Sequence, residues 1–220
     1  MSKLHGPSYA PRGNVKRAVV FLHGYGSDGQ DLISLAPYLA KDMPDTAFFA
    51  PNGPQRTAMG FGYQWFSDAG GTFLDRPGID KAVELLQDYL EENVYGPHGL
   101  TPDRVALVGF SMGTMTALHV APRMVGGCKC VVGFSGKMVF ADDLKTLSQQ
   151  EHNPPKMPIL LIHGMDDDVV PFKASEEAYK ALKENGFEVQ CELIENLAHS
   201  IDETGINRCV QFLKDNLEIL

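Results

Sequence analysis

The chain has 220 residues, 44% of them hydrophobic and 21% charged, which is the composition of an ordinary globular protein and excludes collagen-like, coiled-coil and disordered classes. Its formal net charge of −9, without a cluster of Lys and Arg, predicts no binding to nucleic acid, because such a surface repels phosphate groups. The length suits a single domain over residues 1–220, and we expect it to be cytoplasmic and without stable membrane insertion, since no segment has the apolar length of a secretory signal or a membrane span.

Short apolar runs alternate along the chain with longer amphipathic segments. Runs that are apolar throughout are typical of strands buried on both faces, as in a parallel sheet. Five such runs lie at residues 17–22, 46–50, 104–110, 129–134 and 157–164. A sixth segment, 187–195, alternates between polar and apolar residues, which predicts a strand near a sheet edge with one wet face. Four cysteines are too few for a disulfide framework, and Cys128 and Cys130 are expected to be buried and reduced.

Helices are predicted between these strands. Apolar residues spaced by three or four mark one helix from Ile79 to Leu90 and another from Ile206 to Leu217, and a third is expected at 173–185, ending at Gly186. This order predicts a single-domain α/β fold, in which a mostly parallel twisted sheet carries helices on both faces and there is no large cap domain. Ligands bind beyond the carboxyl ends of the strands in such folds, so the site is expected in the loops that follow them.

The segment from Gly109 to Gly113, with the sequence GFSMG, fits the G-x-S-x-G pattern of a nucleophile elbow. A strand turns so sharply into a helix there that glycines are needed two residues to either side of the serine. The motif lies between a predicted strand and a predicted helix, so we expect Ser111 to be a nucleophile. Ser135 also follows a strand, but Lys137 stands where the second glycine is needed, and we interpret Ser135 as a turn residue near the site.

A serine hydroxyl needs a base, and the base needs a carboxylate that holds its tautomer. In sheets of this kind the chain order is serine, acid, histidine, and His199 is the histidine that follows the acidic turn after the strand at 157–164. His163 lies within that strand end and is expected to be a buried, hydrogen-bonded residue. The pattern does not separate the consecutive residues Asp166, Asp167 and Asp168 as the acid. A metal site formed by this run with His163 is not expected, because the spacing matches no known ligand set.

Backbone N–H groups must stabilise the oxyanion that forms when a serine attacks a carbonyl group. The N–H of Tyr25, in the loop after the first long strand, and the N–H of Met112, next to the nucleophile, are the expected pair. The same loop, from Gly24 to Gly29, also fits the G-x-G-x-x-G fingerprint of dinucleotide-binding proteins. Asp28 would repel a pyrophosphate, and the next strand ends at Pro51 and Asn52 where a ribose-binding acid is required, so the sequence favours the oxyanion loop.

The motifs HGYG, GFSMG, HGMDDDVVP and AHS occur in this order, and with them the chain resembles the phospholipase/carboxylesterase family of α/β-hydrolases, which includes acyl-protein thioesterases. The resemblance covers nearly all of residues 15–220. The family pattern H-G-x-x-D-x-x-V-P places the acid at Asp167, beside Ser111 and His199. It further implies a serine hydrolase that uses no cofactor or metal and acts on a small-molecule ester or thioester. Some members form dimers, which makes a homodimer one expectation.

Residues 53–77 form a long connection at the end of the sheet where the site is expected, and they are rich in glycine and aromatic residues. Tyr63, Trp65 and Phe66 either line an acyl groove or form a small core of the loop itself. The QWFS stretch resembles a W-F-D element of the family, with Ser67 in place of the aspartate. Val170 is a further candidate for contact with the substrate.

The favoured hypothesis is a serine carboxylesterase acting on short- to medium-chain esters, since the chain is too short for a large cap domain and an open site follows. A lysophospholipase and an acyl-protein thioesterase would use the same three residues and stay open as alternatives. Two remote alternatives are a non-catalytic binding protein on a hydrolase scaffold and a nucleotide-binding oxidoreductase.

Overall fold

Seven strands form one mixed, mostly parallel sheet in the computed structural model, which describes residues 3–68, 70–148 and 156–217. In chain order they are β1 (Ser8–Tyr9), β2 (Arg17–Leu22), β3 (Thr46–Phe49), β6 (Val105–Phe110), β7 (Cys130–Phe134), β8 (Ile159–Gly164) and β9 (Val189–Ile194). Their order across the sheet is β1-β3-β2-β6-β7-β8-β9, and β1 alone runs antiparallel to its neighbour. A separate hairpin is formed by β4 (Gln55–Arg56) and β5 (Tyr63–Gln64).

Helices cover both faces of the sheet. They are α1 (Gly29–Ile33), α2 (Ala36–Ala40), α3 (Arg76–Leu90), α4 (Gly96–His98), α5 (Met112–Val120), α6 (Asp143–Ser148), α7 (Lys173–Glu184) and α8 (Glu203–Leu217). A π-helical turn at Glu91–Tyr95 joins α3 to α4, and a 3-10 turn at Pro102–Arg104 precedes β6. The helices α3, α5 and α7 pack in one hydrophobic cluster, whereas α1, α2 and α8 pack in the other.

Strand β2 shows how the sheet separates these two clusters. Its side chains alternate between the faces, so that Val20 and Leu22 join the cluster of α3 and α5 while Val19 and Phe21 join the cluster of α1 and α8. Both faces are covered, and this is why the strand reads as an uninterrupted apolar run. The predicted parallel sheet with helices on both faces is therefore confirmed.

The predicted elements agree with the structure within two or three residues at their ends. Strand β9 lies at the sheet edge with a mostly half-buried pattern, as its alternation predicts, and α7 is followed by Gly186 in the left-handed region with φ of 80°. The described elements without a sequence prediction are short: β1, the β4–β5 hairpin, α2, α4, α6 and the turns at Glu91–Tyr95 and Pro102–Arg104. Cys128 and Cys130 are buried free thiols, as expected. In the described part of the chain, we find no helix that combines the length and the apolar character of a membrane span.

A close backbone contact fixes helix α5 against the sheet. A Cβ atom placed on Gly113 would lie 1.7 Å from the carbonyl oxygen of Leu22 in β2, and one on Gly109 would lie 2.5 Å from the backbone of Gly113. Neither position accepts a side chain, because the atoms in the way belong to the backbone and cannot rotate aside. The two glycines of the G-x-S-x-G pattern are thus required by packing.

We predict that Gly113→Ala lowers the free energy of unfolding by about 3 kcal/mol, since the added methyl group forces α5 away from β2. Alanine normally stabilises a helix relative to glycine, so the sign of this change is diagnostic. Urea unfolding monitored by circular dichroism measures the effect. Gly13→Ala is the matched control, because nothing lies within 4 Å of a Cβ at Gly13. Equal stabilities of the two variants would contradict the packing argument.

A buried polar network ties α5 to α3. The side chain of His119, in α5, is 1% exposed, and its Nε2 lies 2.8 Å from Oδ1 of Asp80 in α3. Burial lowers the pKa of His119 to about 4, and the nearby Arg123 contributes in the same direction. Among the described residues, Nδ1 of His119 has no hydrogen-bond partner, which agrees with a neutral ring protonated at Nε2.

We predict that acidification destabilises the protein between about pH 6.5 and about pH 4, because an imidazole in the unfolded chain takes up a proton near 6.5 while His119 in the folded chain does so near 4. In this interval the unfolded state binds more protons, so stability rises with pH. Denaturant unfolding at several pH values measures the slope, and His119→Phe should reduce it. Burial also lowers the pKa values of His23 and His163, so part of the dependence of stability on pH should remain in His119→Phe. A slope unchanged in His119→Phe would contradict the assignment.

Candidate active site

Ser111 occupies the sharp turn between β6 and α5. Its backbone has φ of 53° and ψ of −116°, a conformation that non-glycine residues adopt at an energetic cost and that surrounding contacts must maintain. One such contact is the hydrogen bond from the Ser111 N–H to the carbonyl oxygen of Phe134, at 2.9 Å. The residue is 8% exposed. The turn therefore holds the serine at the carboxyl edge of the sheet, where the loops after the other parallel strands also converge.

His199 and Asp167 are paired beside this turn. Nδ1 of His199 lies 2.7 Å from Oδ2 of Asp167, while Oδ1 of Asp167 accepts hydrogen bonds from the N–H groups of Val169 and Val170, at 3.0 and 2.7 Å. Burial by itself would raise the pKa of Asp167, but the hydrogen bonds from His199 and the Val170 N–H outweigh it, and the pKa is lowered. The aspartate is thus an ionised acceptor that orients the imidazole.

The imidazole of His199 packs on the residue before the serine. Its ring centroid lies 4.9 Å from that of Phe110. Within residues 3–68, 70–148 and 156–217, no hydrogen bond joins the Ser111 hydroxyl to His199. Hydrogen bonds between nucleophile and base are often long in the absence of substrate and tighten in the substrate complex.

The two expected oxyanion donors belong to segments next to Ser111, since Met112 follows it in the chain and a Cβ on Gly24 would lie 3.4 Å from the Cβ of Ser111. Met112 is the first residue of α5, and Tyr25 lies in the loop after β2. The structure records no acceptor for either N–H among the residues it describes, as expected for the first turn of a helix and for a donor that faces a ligand site.

His23 holds the Tyr25 loop in place, a role that the sequence analysis missed. Its Nε2 accepts a hydrogen bond from the Gly53 N–H at 2.9 Å, so Nδ1 carries the proton and donates to the Gly24 carbonyl oxygen at 2.7 Å. Burial lowers the pKa of His23, which keeps the ring neutral. The sequence signal that could have indicated this role is a histidine directly after a strand and before a glycine.

Two aromatic residues of the 53–77 segment are buried, and one of them contacts His23 at the start of the loop that carries Tyr25. Trp65 and Phe66 are fully buried in the hydrophobic core, and Nε1 of Trp65 donates to the carbonyl oxygen of His23 at 3.0 Å. Of the two alternatives that the sequence left open for these residues, their burial favours packing over an acyl groove, and they join the main core and not a separate core of the loop. Tyr63 is half-buried, with the guanidinium carbon of Arg56 4.1 Å from its ring centroid.

The remaining residues that the sequence analysis considered near the site differ in their burial. Asp166 and Asp168 are exposed on either side of the buried Asp167. Val170 is 6% exposed and contributes its N–H to Asp167. Ser135 has a buried hydroxyl without a hydrogen-bond partner in the described residues and a φ of 46°, in the turn after β7.

An open cavity of about 300 Å³ lies directly beside His199. Its lining includes the apolar Leu32, Leu35, Phe110 and Ile201 and the polar Asp31 and Ser34. Two larger cavities, of about 470 and 680 Å³, lie against β9 and between α2 and α8, and their linings contain none of the candidate catalytic residues. Of these three cavities, the smallest is the one that a candidate catalytic residue lines.

Comparison with known proteins shows the family to which the chain belongs. The model of a family described as Phospholipase/Carboxylesterase matches residues 9–217. A crystal structure of esterase PE8 is 36% identical, with a TM-score of 0.87 over 98% of this chain and 100% of that one. Acyl-protein thioesterase 2 from Zea mays is 27% identical, with a TM-score of 0.79 over 97% and 100% of the two chains. A protein from Oryza sativa subsp. japonica named probable inactive carboxylesterase is 26% identical over 94% of this chain and 86% of its own length.

Because the family model matches almost the whole chain, including the loop from Gly24 to Gly29, it favours the oxyanion-loop interpretation of this loop over the dinucleotide-binding one. The chain belongs to the phospholipase/carboxylesterase family of α/β-hydrolases, whose members are serine hydrolases.

Proposed function

We propose that the protein is a serine carboxylesterase that hydrolyses short- to medium-chain carboxylic esters with Ser111, His199 and Asp167. The observation that carries the proposal is the 2.7 Å hydrogen bond between Asp167 and His199 next to a serine in a strained turn. In serine hydrolases this arrangement activates a hydroxyl that is otherwise a weak nucleophile. The free N–H groups of Tyr25 and Met112 supply the second requirement of acyl transfer.

The reaction proceeds in two steps with these residues. His199 Nε2 takes the proton of the Ser111 hydroxyl as Oγ bonds to the ester carbonyl carbon, and the oxyanion is stabilised by the two backbone N–H groups. The bond to the leaving oxygen then breaks, and the alcohol takes the proton from Nε2. In the second step water gives its proton to His199 and attacks the acyl-enzyme, which releases the acid and returns the proton to Ser111.

The substrate is a small-molecule ester, and its preferred size follows from the shape of the site. The cavity beside His199 is about 300 Å³ in volume and open to solvent, and Trp65 and Phe66 are buried away from it. Ligand pockets for larger molecules reach about 1,000 Å³. The name of the Zea mays relative favours an acyl thioester as the second candidate substrate. We expect the protein to act without a metal or other cofactor. The family resemblance implies a homodimer as one expectation, and light scattering tests it.

We predict that Ser111→Ala folds normally but loses at least about a thousandfold in kcat/KM on p-nitrophenyl acetate, because the nucleophile is absent. A fluorophosphonate probe should label the wild-type protein on the peptide that contains Ser111. Ser135→Ala is the matched control, since Ser135 follows the next strand in the sheet, and this variant should keep both activity and labelling. A wild-type protein without labelling would support the non-catalytic alternative, and labelling elsewhere would move the nucleophile.

The acyl-chain preference is tested with p-nitrophenyl esters of increasing length. We predict that kcat/KM is highest for short and medium chains and falls for palmitate, because the open cavity beside His199 is small. A continuous rise to palmitate would contradict this prediction and would favour the lysophospholipase and acyl-protein thioesterase alternatives. Thioesters with the same acyl groups, measured in parallel, determine whether sulfur is preferred over oxygen in the leaving group.

A further inference from the structure

We infer that His163 is a positioning residue for catalysis: its imidazole shares the carboxylate of Asp167 with His199 and thereby sets how strongly Asp167 acts on the base. The inference rests on the proposed function, because it concerns the same carboxylate. It assigns a role to a histidine that the sequence analysis treated as a buried structural residue.

Two imidazoles converge on one oxygen atom of Asp167. Nδ1 of His199 lies 2.7 Å from Oδ2, and Nε2 of His163 lies 3.1 Å from the same atom. The side chains of His163 and Asp167 are both fully buried, so their contact is shielded from water, and Oδ2 shares the single N–H of Nε2 with the carbonyl oxygen of Val170. The other oxygen, Oδ1, already accepts two backbone N–H groups, from Val169 and Val170. All donors to the carboxylate are thus supplied by the protein.

The contacts of His163 determine where its proton lies. Nε2 also lies 2.8 Å from the carbonyl oxygen of Val170, so it faces two acceptors and must carry the hydrogen. Nδ1 lies 2.7 Å from the hydroxyl of Ser175 in α7, which therefore donates to it; the alternative acceptor for this hydroxyl, the Gly136 carbonyl oxygen, is more distant at 3.3 Å. Burial lowers the pKa of His163, which agrees with a neutral ring.

A neutral donor has a different effect from a cation at this position. An imidazolium at His163 would cancel the charge of Asp167. A neutral N–H leaves the charge in place and weakens only the electrostatic stabilisation that Asp167 gives to protonated His199. It also fixes the orientation of Oδ2 toward His199, since Oδ2 has no backbone donor among the described residues. The titratable groups that act on His163 are Asp167 in the turn after β8 and His199 in the loop after β9; Ser175 in α7 and the Val170 carbonyl complete its surroundings.

Loss of the His163 donor should therefore change the base as well as the fold. Without the positive end of this shared N–H beside Oδ2, Asp167 stabilises the protonated form of His199 more strongly, and the base keeps its proton to a higher pH. The acid limb of the pH profile of kcat/KM then moves to higher pH. A purely structural histidine would lower stability without moving this limb.

The experiment compares purified full-length wild type with His163→Phe, which removes the donor, and His163→Gln, which restores an N–H donor. The matched control is His119→Phe, which removes another buried imidazole paired with an aspartate, but far along α5 from Ser111. For each protein, kcat, KM and the pH profile are measured on p-nitrophenyl acetate, and folding is checked by circular dichroism. His163→Leu is added as a second variant without a donor.

We expect His163→Phe to move the midpoint of the acid limb of kcat/KM upward by about half a pH unit, with little change in KM. His163→Gln should return the midpoint toward the wild-type value, and His119→Phe should leave it unchanged. A midpoint unchanged in the folded donor-free variants, or moved equally by His119→Phe, would overturn the inference, as would the failure of both donor-free variants to fold. A wild-type protein without hydrolysis that depends on Ser111 would instead overturn the proposed function.

Discussion

The close approach of helix α5 to strand β2 is the constraint on which the site depends. With no side chain on Gly113, the first turn of α5 contacts the end of β2, and the N–H of Met112 comes to the same edge as the loop that carries Tyr25. The strained backbone of Ser111 is maintained by the same contact, because the chain must reverse between β6 and a helix that cannot move outward. The packing of α5 and the geometry of the proposed site therefore both depend on the contact between the backbones of α5 and β2.

The polar side of the site is organised around Asp167. Its Oδ1 accepts two backbone N–H groups and its Oδ2 lies next to two imidazoles, so protein groups contact both oxygens of the carboxylate. Asp166 and Asp168 are exposed, since the turn after β8 points one of three chemically identical side chains inward. Position in the fold, and not residue type, distinguishes Asp167 as the candidate acid.

The sequence predicted the sheet and the elbow because both leave periodic or spaced signals: apolar runs for β2 and β6, and paired glycines around Ser111. The choice of Asp167 needed the family resemblance, because three adjacent aspartates carry no spacing signal of their own. The hairpin β4–β5 was missed because its strands have two residues each. The burial of Trp65 and the particular hydrogen-bond partners of His23 and His163 depend on how distant segments meet, and a local pattern indicates at most that such a histidine is buried.

The hairpin has a further consequence through its contacts with the loop that carries Tyr25. The N–H of Gly26 donates to the carbonyl oxygen of Tyr63 at 3.0 Å, and the N–H of Tyr63 donates to that of Ser27 at 2.8 Å. The 53–77 segment is thus bonded to the loop that carries the proposed oxyanion donor Tyr25. On the proposed function, a substitution that displaces β5 also displaces this N–H, so that substrate preference and turnover would change together.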